Sequence, residues 1–404
     1  MKKIFLSFLL ILSSQLFSNA QTPFVSQIIN SVSIDSLMLT VRQLSGDTTV
    51  LINNQVDSIT SRFASFYDSA EIKKAALFIE QKFKSFGLKP VEQQFNNYIG
   101  YTGKNILAYQ QGTDKSTHCY IICAHYDNLP SGARNYGADD NGSGVSAVIE
   151  AARLLCKQPL HYSIYYMLFD HEEQGLIGSN YFANFRFADT PILGVINMDM
   201  IAYDGNNDSV ANIHIRPAGG DSRISDKIIY TDSVYTLGIN LKVYSELGKL
   251  NSDHASFWIN LMPAVLFIED DMTGDFNPKY HTVDDRINLF NTSYYQRMAK
   301  LAIGTLAGFA ADSSHAGINE ISSQQNEIIL YPNPVNNSFT ISTILSKNVL
   351  IRITNIVGEI VFEKEIQTTN NSLNIQLPDN FSQGLYHVSL INENGVLYKR
   401  FLKL

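Results

Sequence analysis

The run Ile164-Tyr165-Tyr166-Met167-Leu168-Phe169 passes directly into Asp170-His171-Glu172-Glu173-Gln174-Gly175-Leu176-Ile177-Gly178. Six apolar residues in succession are the pattern of a strand covered on both faces, as in the parallel sheets of α/β proteins. Adjacent carboxylates at the end of such a strand lose hydration, and something cationic must replace it. A metal ion is the usual compensation.

The same pattern recurs on either side. Tyr120-Ile121-Ile122-Cys123-Ala124 ends in His125, with Asp127 two residues on and so on the same strand face. Leu193–Met198 ends in Asp199, and Ala264–Ile268 leads into a loop rich in Asp, Gly and Asn that reaches His281. Between these runs the spacing predicts helices near 70–86, 144–156, 177–187, 222–237 and 293–309. The fold expected is a three-layer α/β/α unit around a mixed, mostly parallel sheet. Acids and imidazoles collected at successive strand ends lie where such sheets build their sites.

Taken singly, these residues leave alternatives open. His125-x-Asp127 fits a metal histidine with a carboxylate behind it, and it also fits two surface residues. Gly137-Ala138-Asp139-Asp140-Asn141-Gly142-Ser143-Gly144 puts two acids on a backbone that can approach an ion, but reads equally as an Asp-Asn-Gly turn capping a helix. Glu172-Glu173 reads as a ligand beside a water-holding acid or as a solvated loop. Together the set is a mixed nitrogen and oxygen donor group without cysteine, which suits catalytic zinc with room for water.

Composition narrows the class. The chain has 404 residues, is 45% hydrophobic and carries a net charge of −8, with no basic stripe. Nucleic acid is therefore not the expected partner. Lys2 and Lys3 before the apolar Ile4–Leu12, with Ser18-Asn19-Ala20 after it, read as a secretory signal over 1–20. No later window sustains the roughly 20 apolar residues of a transmembrane anchor. Cys119 and Cys123 lie on one strand, roughly 13 Å apart, too far to bridge. With Cys156 they are expected as buried small hydrophobes.

Beyond the catalytic unit, expected over 21–312, residues 313–326 are polar and aperiodic, as in a linker. From 327 to 404, short alternating runs after Tyr331-Pro332-Asn333-Pro334 predict a small β-sandwich. Its single histidine, His387, falls in mid-strand, and nothing in it points to chemistry.

The blocks Ala124-His125-Tyr126-Asp127, Gly137–Gly144, Glu172–Ser179, Asn197-Met198-Asp199-Met200, Ser252-Asp253-His254-Ala255-Ser256-Phe257 and Tyr280-His281-Thr282 with Asp285 occur in the order of a known family. The chain resembles the secreted co-catalytic zinc aminopeptidases of bacterial leucyl aminopeptidase type, relatives of glutaminyl cyclases and glutamate carboxypeptidases. The resemblance implies two Zn²⁺ per chain, with Asp140 bridging, His125 and Asp199 on one ion, and Glu173 and His281 on the other. It implies Glu172 as general base and Asp127 as the carboxylate behind His125. His254 stays outside the ligand set. The short stretch between His125 and Asp140 leaves no room for the protease-associated insert of some relatives.

The resemblance makes the expected substrates peptides or proteins, cut at the N-terminus. The alternatives are a glutaminyl-peptide cyclase of the same superfamily and a non-catalytic surface binding module. Cyclases stack their substrate on tryptophans, whereas this chain has only Trp258, and Tyr at 280. The C-terminal segment resembles the sorting domains of type IX secretion cargo, through Tyr331-Pro332-Asn333-Pro334, Gly384-Leu385-Tyr386 and the basic-hydrophobic Lys399–Leu404. That implies export through the periplasm to the cell surface or medium, with the secretion machinery as partner.

Overall fold

The computed structural model describes residues 22–64, 70–96, 102–185, 190–216, 220–245, 249–312, 329–342, 348–355, 360–367, 372–378, 381–392 and 395–404. The expected signal at 1–20 and linker at 313–326 lie outside them. The chain forms two compact units, Met1–Ala311 and Asp312–Leu404.

In the first unit, helices α1 (Pro23–Ser31) and α2 (Ile34–Leu44) come first, α2 starting at Ser33, whose side chain accepts the Ser36 N–H. A hairpin of β1 (Val50–Ile52) and β2 (Gln55–Asp57) and helix α3 (Ala70–Ser85) follow. The sheet strands are β3 (Val91–Asn96), β4 (Thr102–Gln110), β5 (Lys115–His125), β6 (Tyr162–Phe169), β7 (Ile192–Met198), β8 (Val210–His214), β9 (Asn240–Tyr244) and β10 (Ala264–Glu269). Between and after them lie α4 (Gly144–Leu155), α5 (Ile177–Asn184), α6 (Asp221–Tyr235), α7 (His254–Ile259) and α8 (Thr292–Ala311).

The eight strands run in the order β3-β4-β6-β5-β7-β10-β8-β9. The central β6-β5-β7-β10 pairings are parallel, as is β8 with β9, and the remaining three are antiparallel. Strand β5 lies between β6 and β7, so the chain leaves it in both directions. That is the switch point at which α/β sheets open a crevice beyond their C-terminal strand ends.

Alternation along β5 divides the core. Tyr120, Ile122 and Ala124 face the large cluster made with α1 to α4, α6 and α8. Ile121 and Cys123 face a second cluster with Phe182 of α5 and Phe257 and Trp258 of α7. None of the three cysteines is in a disulfide; Cys119 and Cys123 are buried and Cys156 half-buried. Helices α1 and α2 are integral to the fold, because Glu150 of α4 accepts from the Ser33 N–H and the Ser36 hydroxyl and holds Arg153. Among the described residues no single helix is long and apolar enough to cross a membrane.

The second unit consists of two antiparallel sheets, β11 (Ile329–Tyr331), β12 (Ser338–Ser342) and β15 (Ser372–Gln376) against β14 (Ile360–Gln367), β13 (Asn348–Asn355), β16 (Gly384–Asn392) and β17 (Gly395–Lys403). Phe339, Ile341 and Ile375 of one sheet share a core with Ile351, Ile353, Val388, Leu390 and Phe401 of the other.

Candidate metal centre

Three adjacent strand ends supply the crevice. His125 closes β5, Glu172 and Glu173 follow β6, and Asp199 directly follows β7. Asp140 sits in the irregular turn Ala138–Ser143 before α4, and His281 in the loop after β10. The turns are held tightly. A Cβ at Gly178 would run into the Asp170 carbonyl and the Asn105 amide, so only glycine lets α5 start beneath the two glutamates. Gly137 has φ +48° and is pressed against the Asn128 side chain. His171, Met200 and His281 also take up left-handed φ, a conformation that costs roughly 1–3 kcal/mol each and gathers at functional sites.

The five side chains marked as ligands by the resemblance meet. His125 Nε2 lies 3.4 Å from Asp140 Oδ1 and 3.3 Å from Asp199 Oδ1. His281 Nε2 lies 3.4 Å from Asp140 Oδ2 and 2.9 Å from Glu173 Oε2. Each oxygen of Asp140 therefore faces a different histidine. Ligands about 2.0–2.1 Å from a tetrahedral zinc stand roughly 3.3 Å from one another, a spacing that three of these four separations fit. Asp140 Oδ2, Glu173 Oε1 and His281 Nε2 are buried and take part in no hydrogen bond. Unpartnered buried atoms of this kind on neighbouring side chains fit a metal.

The electrostatics agree. Burial pushes the Glu172 carboxyl well above its ordinary range, opposed by His125 and reinforced by Asp199, Asp253 and Glu173. Glu173 is pushed up to about 10 by burial and by Asp140 beside it. Burial alone would raise Asp199 too, but His125 and the Ser252 hydroxyl hold it below the usual value. Carboxylates packed this closely stay ionised only beside strong positive charge. Glu172 also comes within 4.8 Å of His125 and Asp199, beside the ligands.

Around the ligands a supporting shell fixes their positions. Both oxygens of Asp127 accept backbone N–H groups, from Glu172 at 3.1 Å and Glu173 at 3.1 Å, while Oδ1 stands 3.5 Å from His125 Nδ1. Asp127 thus positions the two glutamates with its carboxylate, while its backbone carbonyl faces His125 Nδ1 at 3.2 Å. Ser252 donates to Asp199 Oδ2 at 2.7 Å and accepts from Asn197. Asp139 is turned away from the crevice, its carboxylate accepting from Ala202 N and Asn277 Nδ2. His254 is likewise outside the group, donating to the Lys249 carbonyl.

Arg62 has no sequence signal of its own. It is fully buried, with Nε on the Tyr126 carbonyl, Nη1 on Leu44 and Tyr136 and Nη2 on Gly137. One guanidinium thereby ties the His125–Asp127 strand end to the turn carrying Asp140. Burial lowers it to about 10, against the pull of Asp285, Asp140 and Asp127. Asp285 Oδ2 accepts the N–H groups of both Asp139 and Asp140, and burial raises its carboxyl to about 8.

The model of peptidase family M28 matches residues 105–306, half of the chain and all of this crevice. The chain belongs to peptidase family M28. Residues 329–403 of the M28 protein match the secretion system C-terminal sorting domain. Over 70% of its length it is 26% identical to a probable leucine aminopeptidase of Trichophyton verrucosum, covering 75% of that protein. Its structure resembles the Legionella pneumophila LapA aminopeptidase (TM-score 0.58, 24% identity, 71% of this chain and 75% of that one). It also resembles BSAP, a zinc aminopeptidase of Bacillus subtilis (TM-score 0.60, 16% identity, 70% and 96%). A Bacteroides thetaiotaomicron glutaminyl cyclase is similar to nearly the same extent (TM-score 0.56, 18% identity, 68% and 98%).

Proposed function

We propose that this M28 peptidase is a secreted zinc-dependent aminopeptidase whose centre takes two ions. Asp140, turned toward one histidine with each oxygen, is the observation that carries the reading. His125 and Asp199 would hold one ion, Glu173 and His281 the other, with Asp140 shared. Zinc bound there polarises the scissile carbonyl and acidifies water. Glu172 accepts the proton of the attacking water on its carboxylate and returns it to the leaving amine. Asp127 holds the Glu172 and Glu173 peptides in place, and Ser252 orients Asp199.

The cyclase reading has one observation in its favour, a neighbour of nearly equal structural similarity. Trp258 works against it: the indole is buried, donates to the Ala264 carbonyl and stands edge-on to His254, away from the crevice. Tyr280, half-exposed, lines the crevice instead. Aminoacyl chromogenic substrates and a glutaminyl dipeptide separate the readings. Release of free N-terminal residues, abolished by N-acetylation, is expected. Ammonia and a pyroglutamyl product with no amide bond cleaved would make the protein a cyclase. The C-terminal unit is proposed to direct export by the type IX machinery after transit through the periplasm.

A further inference from the structure

The crevice extends from the ligand cluster to Lys249, Leu266, Ile268 and Asp271, which line it together with the ligands. Part of its wall is one face of the sheet. Leu266 and Ile268 of β10 pair with His214 and Asn212 of β8, so the four side chains leave the sheet on the same side. Met200, Phe276 and Tyr280 add apolar surface around Leu266 and Ile268. A wall of this kind accepts a hydrocarbon stem.

A polar end is built onto it. Asp271, two residues beyond β10, accepts from His214 Nε2 at 3.1 Å, Asn212 Nδ2 at 2.7 Å and the Lys249 ammonium at 2.5 Å. Its carboxylate is thereby saturated. Lys249 is fixed twice over, by a second contact from its ammonium to the Asp271 carbonyl at 3.1 Å and by its own carbonyl, which accepts from His254. An ammonium has three N–H groups. Two are taken up by Asp271, and Lys249 lines the cleft with one N–H still to be matched.

We propose that Lys249 is a specificity-determining residue and that the cleft selects N-terminal residues with an apolar stem ending in an oxygen acceptor, namely glutamyl and glutaminyl residues. This rests on the aminopeptidase reading above. A lysyl or arginyl side chain would bring a second cation against a fixed ammonium, and the carboxylate at that end, Asp271, is already occupied. A leucyl side chain fills the apolar wall but leaves the third N–H without a partner.

The test is kcat/KM of the full zinc-loaded chain on glutamyl, glutaminyl, leucyl and lysyl p-nitroanilides, for wild type, Lys249→Met and Lys249→Arg. Wild type is expected to favour the glutamyl or the glutaminyl substrate over the lysyl one by about tenfold or more. The two acceptor substrates show whether a carboxylate or an amide suits the ammonium better. Lys249→Met should lower the ratio of either to the leucyl substrate by about tenfold, and Lys249→Arg should keep most of it. Unchanged ratios in a Lys249→Met protein that still cuts the leucyl substrate would overturn the inference alone. If that variant does not fold, a wild type preferring the lysyl substrate overturns it. No amine released from any of the four overturns the peptidase reading, and this inference with it.

Discussion

Glu172 and Asp127 each leave a second reading open when taken singly, and only their place in the ordered set of blocks points to a role. The acids after apolar runs are legible because burial makes an unpaired carboxylate costly wherever it falls. Glu172→Gln should lower kcat roughly 10²–10⁴-fold while zinc stays bound, since the amide keeps the shape and cannot take a proton. Unchanged kcat would move the role elsewhere. Asp127→Ala removes two acceptors of backbone N–H groups and the carboxylate behind His125. Zinc affinity should drop about 10–100-fold in competition with a chelator. Arg62 is not legible, because its partners are four carbonyls supplied by three separate points of the chain. Arg62→Met leaves those carbonyls buried and unpaired, and the unfolding free energy should fall by about 3 kcal/mol or more, read by denaturant titration.

Among the elements, the strands with continuous apolar runs and the amphipathic helices follow directly from pattern. The hairpin of β1 and β2 and the edge strand β9 do not. Strand β9 is mostly exposed and shows no clean alternation, so only its pairing with β8 defines it. The irregular turn at Ala138–Ser143 is legible as a turn, yet not in its shape, which depends on Asp285 binding its N–H groups from 145 and 146 residues away. Helices α5 and α7 cover one face of the sheet beneath the crevice through Phe182 and Phe257, whose rings meet each other and Phe169 at tilted angles. Phe257→Ala opens a cavity there and should cost about 3–5 kcal/mol. Calorimetry that finds Tm unchanged would show that this layer does not support the crevice.

At the scale of the molecule, the matches to an M28 peptidase and to a sorting domain fall on separate compact units. Among the described residues, none that lines the crevice lies in the second unit. A chain ending at Asp312 should therefore keep zinc and peptidase activity when purified, and should fail to leave the cell. A soluble, zinc-loaded but inactive truncation would place the second unit in the working enzyme. The central claim is a pair of zinc ions held by His125, Asp140, Glu173, Asp199 and His281. It is tested most directly by stripping the purified chain with a chelator and returning zinc stepwise while bound metal and peptidase activity are counted together. About two ions per chain, falling to about one in His281→Ala, is the predicted result. A single ion at full activity, or full zinc and full activity in His281→Ala, would contradict it.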